Sequence, residues 1–362
     1  MASSTRSSVI IGTGCTIPKR VVTNEDFLQY RFYVPRGQHF DPADTASVVA
    51  KFKEITDISE RRYATPDQLT SDLALAAARE ALTASAIDPE TLDYIVVAHN
   101  FGDVRADNPR SDLVPTLAAR VKQQLEIRNP FCVAYDLPFG CPGWLQALIQ
   151  VDYFLRSGDA QRALVIGAEI LSRVSDPHDR DSMLYADGAG AVVVEAVEGK
   201  ERVGILAHAT RSDTLEHARL LWMDTSYNPN FGDDRLFLKM HGHTLYEYAL
   251  ATVPAVVRLS LERCSLSLAD VSKVLLHQAN AKMDEAILRR LFRLYKLREV
   301  PEGIMPMTIS WLGNSSVATL PTLLDLIVRG RLEGQRIGSG DVLVFASVGA
   351  GMNINSVVYR WP

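Results

Sequence analysis

The sequence predicts a duplicated α/β fold, and three observations carry that prediction. Short apolar runs rich in β-branched residues alternate with stretches of helical periodicity; Gly, Asp or Asn bounds each run; and the order of elements recurs once along the 362 residues. Val9-Ile10-Ile11 forms the first run and leads into Gly12-Thr13-Gly14. Residues 72–82 (DLALAAAREAL) combine strong helix formers with an apolar stripe, which predicts a helix. Asp88-Pro89-Glu90 follows, and Ile95-Val96-Val97 reads as a buried strand. Pro142 suits a first helical position because it has no N–H to leave unpaired. From there Trp144, Leu145, Leu148, Ile149, Tyr153 and Phe154 continue an apolar helix that closes at Ser157-Gly158. Residues 163–166 and 191–194 are two further buried strands.

The second half repeats this order. A helix ending near Leu261 is followed by Leu268-Ala269-Asp270 and by Val274-Leu275-Leu276-His277, so His277 stands where Ala98 stands in the first half. Phe139-Gly140-Cys141 and Leu312-Gly313-Asn314 each precede a helical run, and each run precedes a strand, 163–166 in one half and 341–345 in the other. The expectation is one duplicated unit with halves at residues 1–200 and 201–362. No Pro- or Ser-rich linker separates them, which predicts a shared core.

Composition narrows the function. Apolar residues make up 47% and charged residues 22%, too apolar for a disordered chain. The net charge of −5 argues against a nucleic-acid binder, whose footprint is a basic excess. The polar opening (residues 1–8) lacks the apolar core of a signal peptide, and Cys15, Cys132, Cys141 and Cys264 lie far apart with no CxxC pair. The expectation is a cytosolic protein with free thiols, neither disulfide-framed nor metal-binding.

Three residues stand out chemically. Cys141 falls at a helix start, where free N–H groups and the helix dipole stabilise a thiolate; its local context leaves a nucleophile and a buried structural thiol both open. His277 ends an apolar strand, and Asn314 precedes a helix; alone, each reads as a capping residue. The repeat changes the weighting, because Asn314 is the pseudo-equivalent of Cys141, and two equivalent helix starts can face one cavity. His241-Gly242-His243 has no third ligand at a recognisable spacing, so no metal is assigned.

In these contexts the chain resembles the thiolase superfamily, and within it the β-ketoacyl-acyl-carrier-protein synthase III type. The residues that carry the resemblance are Ile10-Ile11-Gly12-Thr13-Gly14 with Pro18 and Asn24, Ser59-Glu60-Arg61-Arg62, and Tyr185-Ala186-Asp187-Gly188-Ala189-Gly190. To these add His277-Gln278-Ala279-Asn280 and Gly313-Asn314-Ser315-Ser316 downstream of Cys141. The resemblance implies a layered αβαβα thiolase-like fold, an acyl-Cys enzyme at Cys141, and no cofactor. It also implies that His277 and Asn314 hold the carbonyl of a malonyl extender as carbon dioxide leaves. An oxyanion hole would come from the N–H groups of Cys141 and of Ala350, in Gly349-Ala350-Gly351. Acyl thioesters and an acyl carrier protein are the implied partners, and a homodimer the implied assembly.

Three further residues enter through the same resemblance. Arg173 matches one side of the family's adenine site, Lys282 opens a basic stretch (282–297) suited to an acidic carrier protein, and Val114 takes the place of a partner-subunit aromatic that closes the acyl tunnel. The adenine-stacking Trp is absent from residues 51–55, and Ile55 stands where the family has Arg, which leaves coenzyme A open as a donor. The stretches 29–50 and 102–110 are longer than the family pattern. Three other readings stand beside this one. The order Cys…His…Asn is also that of papain-like proteases, but these leave the duplication unexplained. Acyl transfer to an amine or alcohol, or condensation without decarboxylation, would call for a carboxylate base such as Asp103. A supporting subunit without activity would be expected to have lost Cys141, His277 or Asn314.

Overall fold

The structure is a computed structural model that describes residues 5–34, 44–232 and 234–362. Residues 35–43, inside the long 29–50 stretch, lie outside the described ones. The first half runs β1 (Thr5–Thr16), β2 (Arg20–Thr23), α1 (Thr45–Thr56), β3 (Glu60–Tyr63), α2 (Thr70–Ser85), β4 (Tyr94–His99), β5 (Asp103–Val104), β6 (Ser111–Asp112), α3 (Leu117–Gln124), β7 (Val133–Pro138), α4 (Gly143–Ser157), β8 (Arg162–Ile170) and β9 (Asp187–Gly199). The second runs β10 (Gly204–Ser212), α5 (Thr214–His217), β11 (Leu221–Asp224), β12 (Phe237–Met240), α6 (Gly242–Glu262), β13 (Lys273–Leu276), α7 (Ala281–Leu294), α8 (Ile309–Leu312), α9 (Thr319–Val328), β14 (Val342–Gly349) and β15 (Asn353–Arg360).

Two sheets form the frame. One has the order β1-β9-β8-β4-β7 and the other β10-β15-β14-β13, so no strand of either sheet crosses the stretch between Gly199 and Gly204. Their pairing senses correspond. β1–β9 and β9–β8 are antiparallel and β8–β4 is parallel; β10–β15 and β15–β14 are antiparallel and β14–β13 is parallel. β7 extends the first sheet by one parallel strand.

The layers follow from which faces are apolar. α4 and α9 are buried between the sheets: Trp144, Leu148, Leu320 and Leu324 share one cluster with Val96 and Val165 of the first sheet and Leu275 and Phe345 of the second. α2 and α3 cover the outer face of the first sheet, and α6 and α7 that of the second. Each fully buried aliphatic side chain is worth about 1.5–3 kcal/mol, so the double-sided middle layer welds the halves into one core. The result is the layered αβαβα thiolase-like fold.

Several strands are longer than their apolar runs. The first does not end at Gly12 but continues to Thr16. A Cβ at Gly12 or Gly14 would stand 2.4 Å from the carbonyl oxygen of Ala81 or Ala77, so both glycines mark the seat of α2 against the strand. The strand read at 163–166 runs to Ile170 and carries Glu169 inside it.

Candidate active site

Cys141, His277, Asn314 and the Gly349-Ala350 turn all line one cavity of about 880 Å³. Each arrives from a different element end: Cys141 from the turn between β7 and α4, His277 from the end of β13, Asn314 from between α8 and α9, and Ala350 from the end of β14. In α/β sheets, carboxyl ends of parallel strands are where ligands are met. Here both halves contribute theirs to one space.

The Cys141 turn and the Ala350 turn are in contact. Gly140 has φ +69°, and a Cβ there would stand 2.9 Å from the Ala350 nitrogen. A Cβ at Gly349 would stand 2.6 Å from the Cys141 nitrogen. Only glycine permits that approach, and it brings the backbones of Cys141 and Ala350 side by side. Pro142 occupies the cap position of α4, one residue before the helix, rather than the first helical position.

The helix start alone favours a thiolate, but burial opposes it. Burial pushes the Cys141 thiol up to about 11, and the charge of Glu169 adds to that rise; a hydrogen bond from the Ser316 hydroxyl opposes it. Desolvation outweighs the helix start, so the resting group is a thiol. His277 moves the other way: burial lowers it to about 4, which keeps the imidazole neutral. Its Nδ1 is buried without a partner, and its backbone N–H donates to Ala346. The next residue, Gln278, fixes the turn by donating to the Pro306 carbonyl (2.9 Å) and accepting from the Thr308 N–H (2.7 Å).

Asn314 is stitched to the first half by its backbone. Its N–H donates to Leu184 (2.9 Å) and its carbonyl accepts from Ala186 (2.8 Å). Its side-chain oxygen accepts from the Ser316 N–H (2.9 Å), which leaves the amide hydrogens as the groups it can offer a ligand. Ser316 itself holds a left-handed φ of +53° and directs its hydroxyl to the Cys141 sulfur at 3.3 Å. Asn100, another wall residue, donates to that hydroxyl at 3.2 Å.

The rest of the wall is mainly apolar. α1 supplies Phe52, Ile55 and Thr56; β11 and β12 supply Trp222, Leu238 and Met240. A fully buried Lys239 holds this hairpin down: its ammonium lies 2.5 Å from Asp176, 3.3 Å from Asp179 and 3.5 Å from the Tyr227 ring centre. Gly242 and His243 also reach the cavity, while His241 packs tilted against Trp222 with ring centres 4.4 Å apart.

The remaining sequence candidates lie elsewhere. Arg173 is outside the cavity wall; its guanidinium donates to the carbonyls of Val104 (2.5 Å), Thr65 (2.8 Å) and Pro66 (3.4 Å). Val114 is 86% exposed and does not touch the cavity of its own chain. Lys282 is exposed at the start of α7, 3.8 Å from Glu54 of α1. Asp103 is not free to act as a base: it accepts from the Ser71 N–H (2.8 Å) and hydroxyl (2.7 Å) and pairs with Arg120 at 2.6 Å. All four cysteines are free thiols. No group of three metal-ligating side chains occurs among the described residues.

Sequence reasoning did not place Ser316, Asn100 and Glu169 around Cys141. A signal was available for the last, a carboxylate inside an otherwise apolar strand, since such residues are seldom fully buried without a task.

Comparisons with known proteins point to one family. The profile described as "3-Oxoacyl-[acyl-carrier-protein (ACP)] synthase III" matches residues 135–214, and its C-terminal counterpart matches residues 261–361. A protein of Erythrobacter litoralis named beta-ketoacyl-[acyl-carrier-protein] synthase III is 35% identical over 356 residues, covering 98% of this chain and 99% of its own length. The solved 3-oxoacyl-[acyl-carrier-protein] synthase III of Aquifex aeolicus superposes with a TM-score of 0.78 at 29% identity, over 98% of this chain and 100% of that one. The priming β-ketosynthase of the R1128 polyketide pathway does so with a TM-score of 0.80 at 26% identity, over 100% and 98%.

Proposed function

Because the chain belongs to the 3-oxoacyl-[acyl-carrier-protein] synthase III family of condensing acyltransferases, we propose that Cys141 takes an acyl group from a thioester and that the acyl-enzyme condenses with a malonyl thioester to give a β-ketoacyl product. The observation that carries this reading is the meeting of Cys141, His277 and Asn314 in one cavity, from ends of elements in both halves.

In the first step the Cys141 sulfur adds to the acyl carbonyl carbon, the departing thiolate leaves, and the proton of the Cys141 thiol ends on it. The N–H groups of Cys141 and Ala350 hold the carbonyl oxygen while it carries negative charge. In the second step the malonyl carboxylate leaves as carbon dioxide, and its bonding pair becomes an enolate. A neutral imidazole at His277 and the amide of Asn314 are suited to donate to that enolate oxygen, since neither carries a charge that must be desolvated. The enolate carbon then attacks the acyl carbonyl, the C–S bond breaks, and the Cys141 thiolate regains a proton.

An acyl carrier protein is the proposed donor of at least one substrate. The basic α7 flanks the cavity, to which Asn280 and Met283 contribute wall. Coenzyme A stays open, since Ile55 forms the wall where the resemblance calls for Arg. The protein is proposed to work as a cytoplasmic homodimer, with residues 1–200 and 201–362 as its duplicated halves.

Incubation with acyl thioesters followed by peptide mass spectrometry tests the reading. The adduct is expected on Cys141 alone; a label on Cys15, Cys132 or Cys264 with Cys141 bare would overturn it.

A further inference from the structure

Glu169 is a buried carboxyl that the reaction steps leave unused. It lies near the end of β8, and none of its surface is exposed. One oxygen, Oε2, accepts from both the backbone N–H of Asn100 (3.0 Å) and its side-chain amide (2.6 Å). The other, Oε1, is buried without a partner. The same Asn100 amide nitrogen donates to the Ser316 hydroxyl at 3.2 Å, and that hydroxyl donates to the Cys141 sulfur at 3.3 Å. A continuous chain therefore runs Glu169, Asn100, Ser316, Cys141.

Two features show that the chain is built in. Ser316 holds a left-handed backbone, costly for a residue other than glycine and found mostly where the surroundings enforce it. Gly167, two residues before Glu169 on the same face of β8, lets the residue after Ser316 sit close: a Cβ there would stand 2.3 Å from the Val317 carbonyl oxygen. One short segment of β8 thus seats the Ser316 turn and anchors the amide that holds its hydroxyl.

We propose that Glu169 is a positioning residue for the Cys141 nucleophile, acting through Asn100 and Ser316. The carboxylate fixes the Asn100 amide, one amide hydrogen occupies a lone pair of the Ser316 oxygen, and the hydroxyl hydrogen is left for the sulfur. Asn100 donates at both ends, so no proton passes between Glu169 and Cys141, and Glu169 is not the base that ionises the thiol. Its influence is orientation plus charge. Burial lifts its own carboxyl to about 7, partly offset by His99 and Asn100; when ionised it opposes formation of the thiolate.

The other titratable groups around the chain are accounted for. His99 on β4 is held between Asp136 of β7 (2.9 Å) and the Gly102 N–H (3.0 Å). Asp187 on β9 is lifted to about 6 by burial and holds Ser172 and the Ala64 N–H. Tyr185 is held well above its ordinary range by burial, and His277 is neutral.

This inference rests on Cys141 being the nucleophile, so its test reads the thiol directly: the pH profile of Cys141 alkylation by iodoacetamide, with the labelled peptide identified. Glu169→Gln keeps an oxygen for Asn100 and removes the charge; its profile should move to lower pH, by about half a unit or more, about threefold faster alkylation at fixed pH. Ser316→Ala removes the donor to sulfur, and its profile should move to higher pH. Asn100→Ala should follow Ser316→Ala. Glu169→Leu removes the acceptor for Asn100 as well as the charge, so its profile should lie at higher pH than that of Glu169→Gln; coincident profiles of these two variants would overturn the inference, as would an unmoved Ser316→Ala. Neither result touches the proposed function, which fails only if acyl groups do not load on Cys141.

Discussion

At the scale of single residues, the proposed chemistry relies on neutral donors lining one cavity. Asn314 has its oxygen engaged by the Ser316 N–H, so its amide is pre-aimed, and His277 is stripped of charge by burial. Removing one preorganised donor typically costs about 10²–10³ in rate. Asn314→Ala is therefore expected to load an acyl group on Cys141 at nearly the unaltered rate and to lose condensation by about that factor, read by separate acylation and product assays. Normal condensation in the variant would favour direct acyl transfer. That Cys141, His277 and Asn314 meet in one cavity was legible because each sits at a marked element end: Cys141 before Pro142, His277 after an apolar strand, Asn314 after Gly313. The state of the thiol was not, because the sequence shows a helix start but not the depth at which it is buried. Ser316 was read only as part of a motif, since the aim of its hydroxyl depends on a φ of +53° that no spacing announces.

At the scale of elements, α7 joins the site to the outside. It begins with Asn280 capping the Met283 N–H at 3.1 Å, worth about 1 kcal/mol, and both residues form part of the cavity wall. Its far face exposes Lys282, Arg289, Arg290 and Arg293. Charge reversal at Arg289 and Arg293 is expected to raise the KM for a carrier-bound substrate several-fold and to leave that for a short thioester mimic unchanged, because long-range attraction acts only on an acidic partner. Steady-state kinetics with both donors would show it, and equal effects would remove the docking role. The sequence placed this helix at 282–297, whereas it ends at Leu294, and it missed the contribution of β11 and β12 to the wall. That hairpin is short and held by tertiary charge pairing through Lys239, which leaves no periodic trace.

At the scale of the whole molecule, the element order that recurs in the sequence has a structural counterpart: four strands of each sheet share order and pairing sense. The fifth strand of the first sheet breaks the correspondence. β7 lies at the open edge, and bare edges invite pairing. Apolar side chains gather beside it: Phe131 is 83% exposed, and Val133, Leu113 and Val114 are exposed as well. We expect this edge to pair with that of a second copy, which would give a particle of twice 40.0 kDa and bring Val114 toward the partner's cavity. Sedimentation should show the dimer, and Phe131→Asp with Val114→Asp should weaken it; a monomeric unaltered protein would refute the assembly.

The central claim is that an acyl-Cys141 is consumed by a decarboxylating condensation. The most direct measurement loads the protein with an acyl thioester, removes the excess donor, adds a malonyl thioester, and follows the intact mass and released carbon dioxide together. One carbon dioxide and one β-ketoacyl product are expected for each acyl group lost from Cys141. Loss of the acyl group to an amine or alcohol without carbon dioxide, or release of carbon dioxide while the acyl group stays on Cys141, would contradict it.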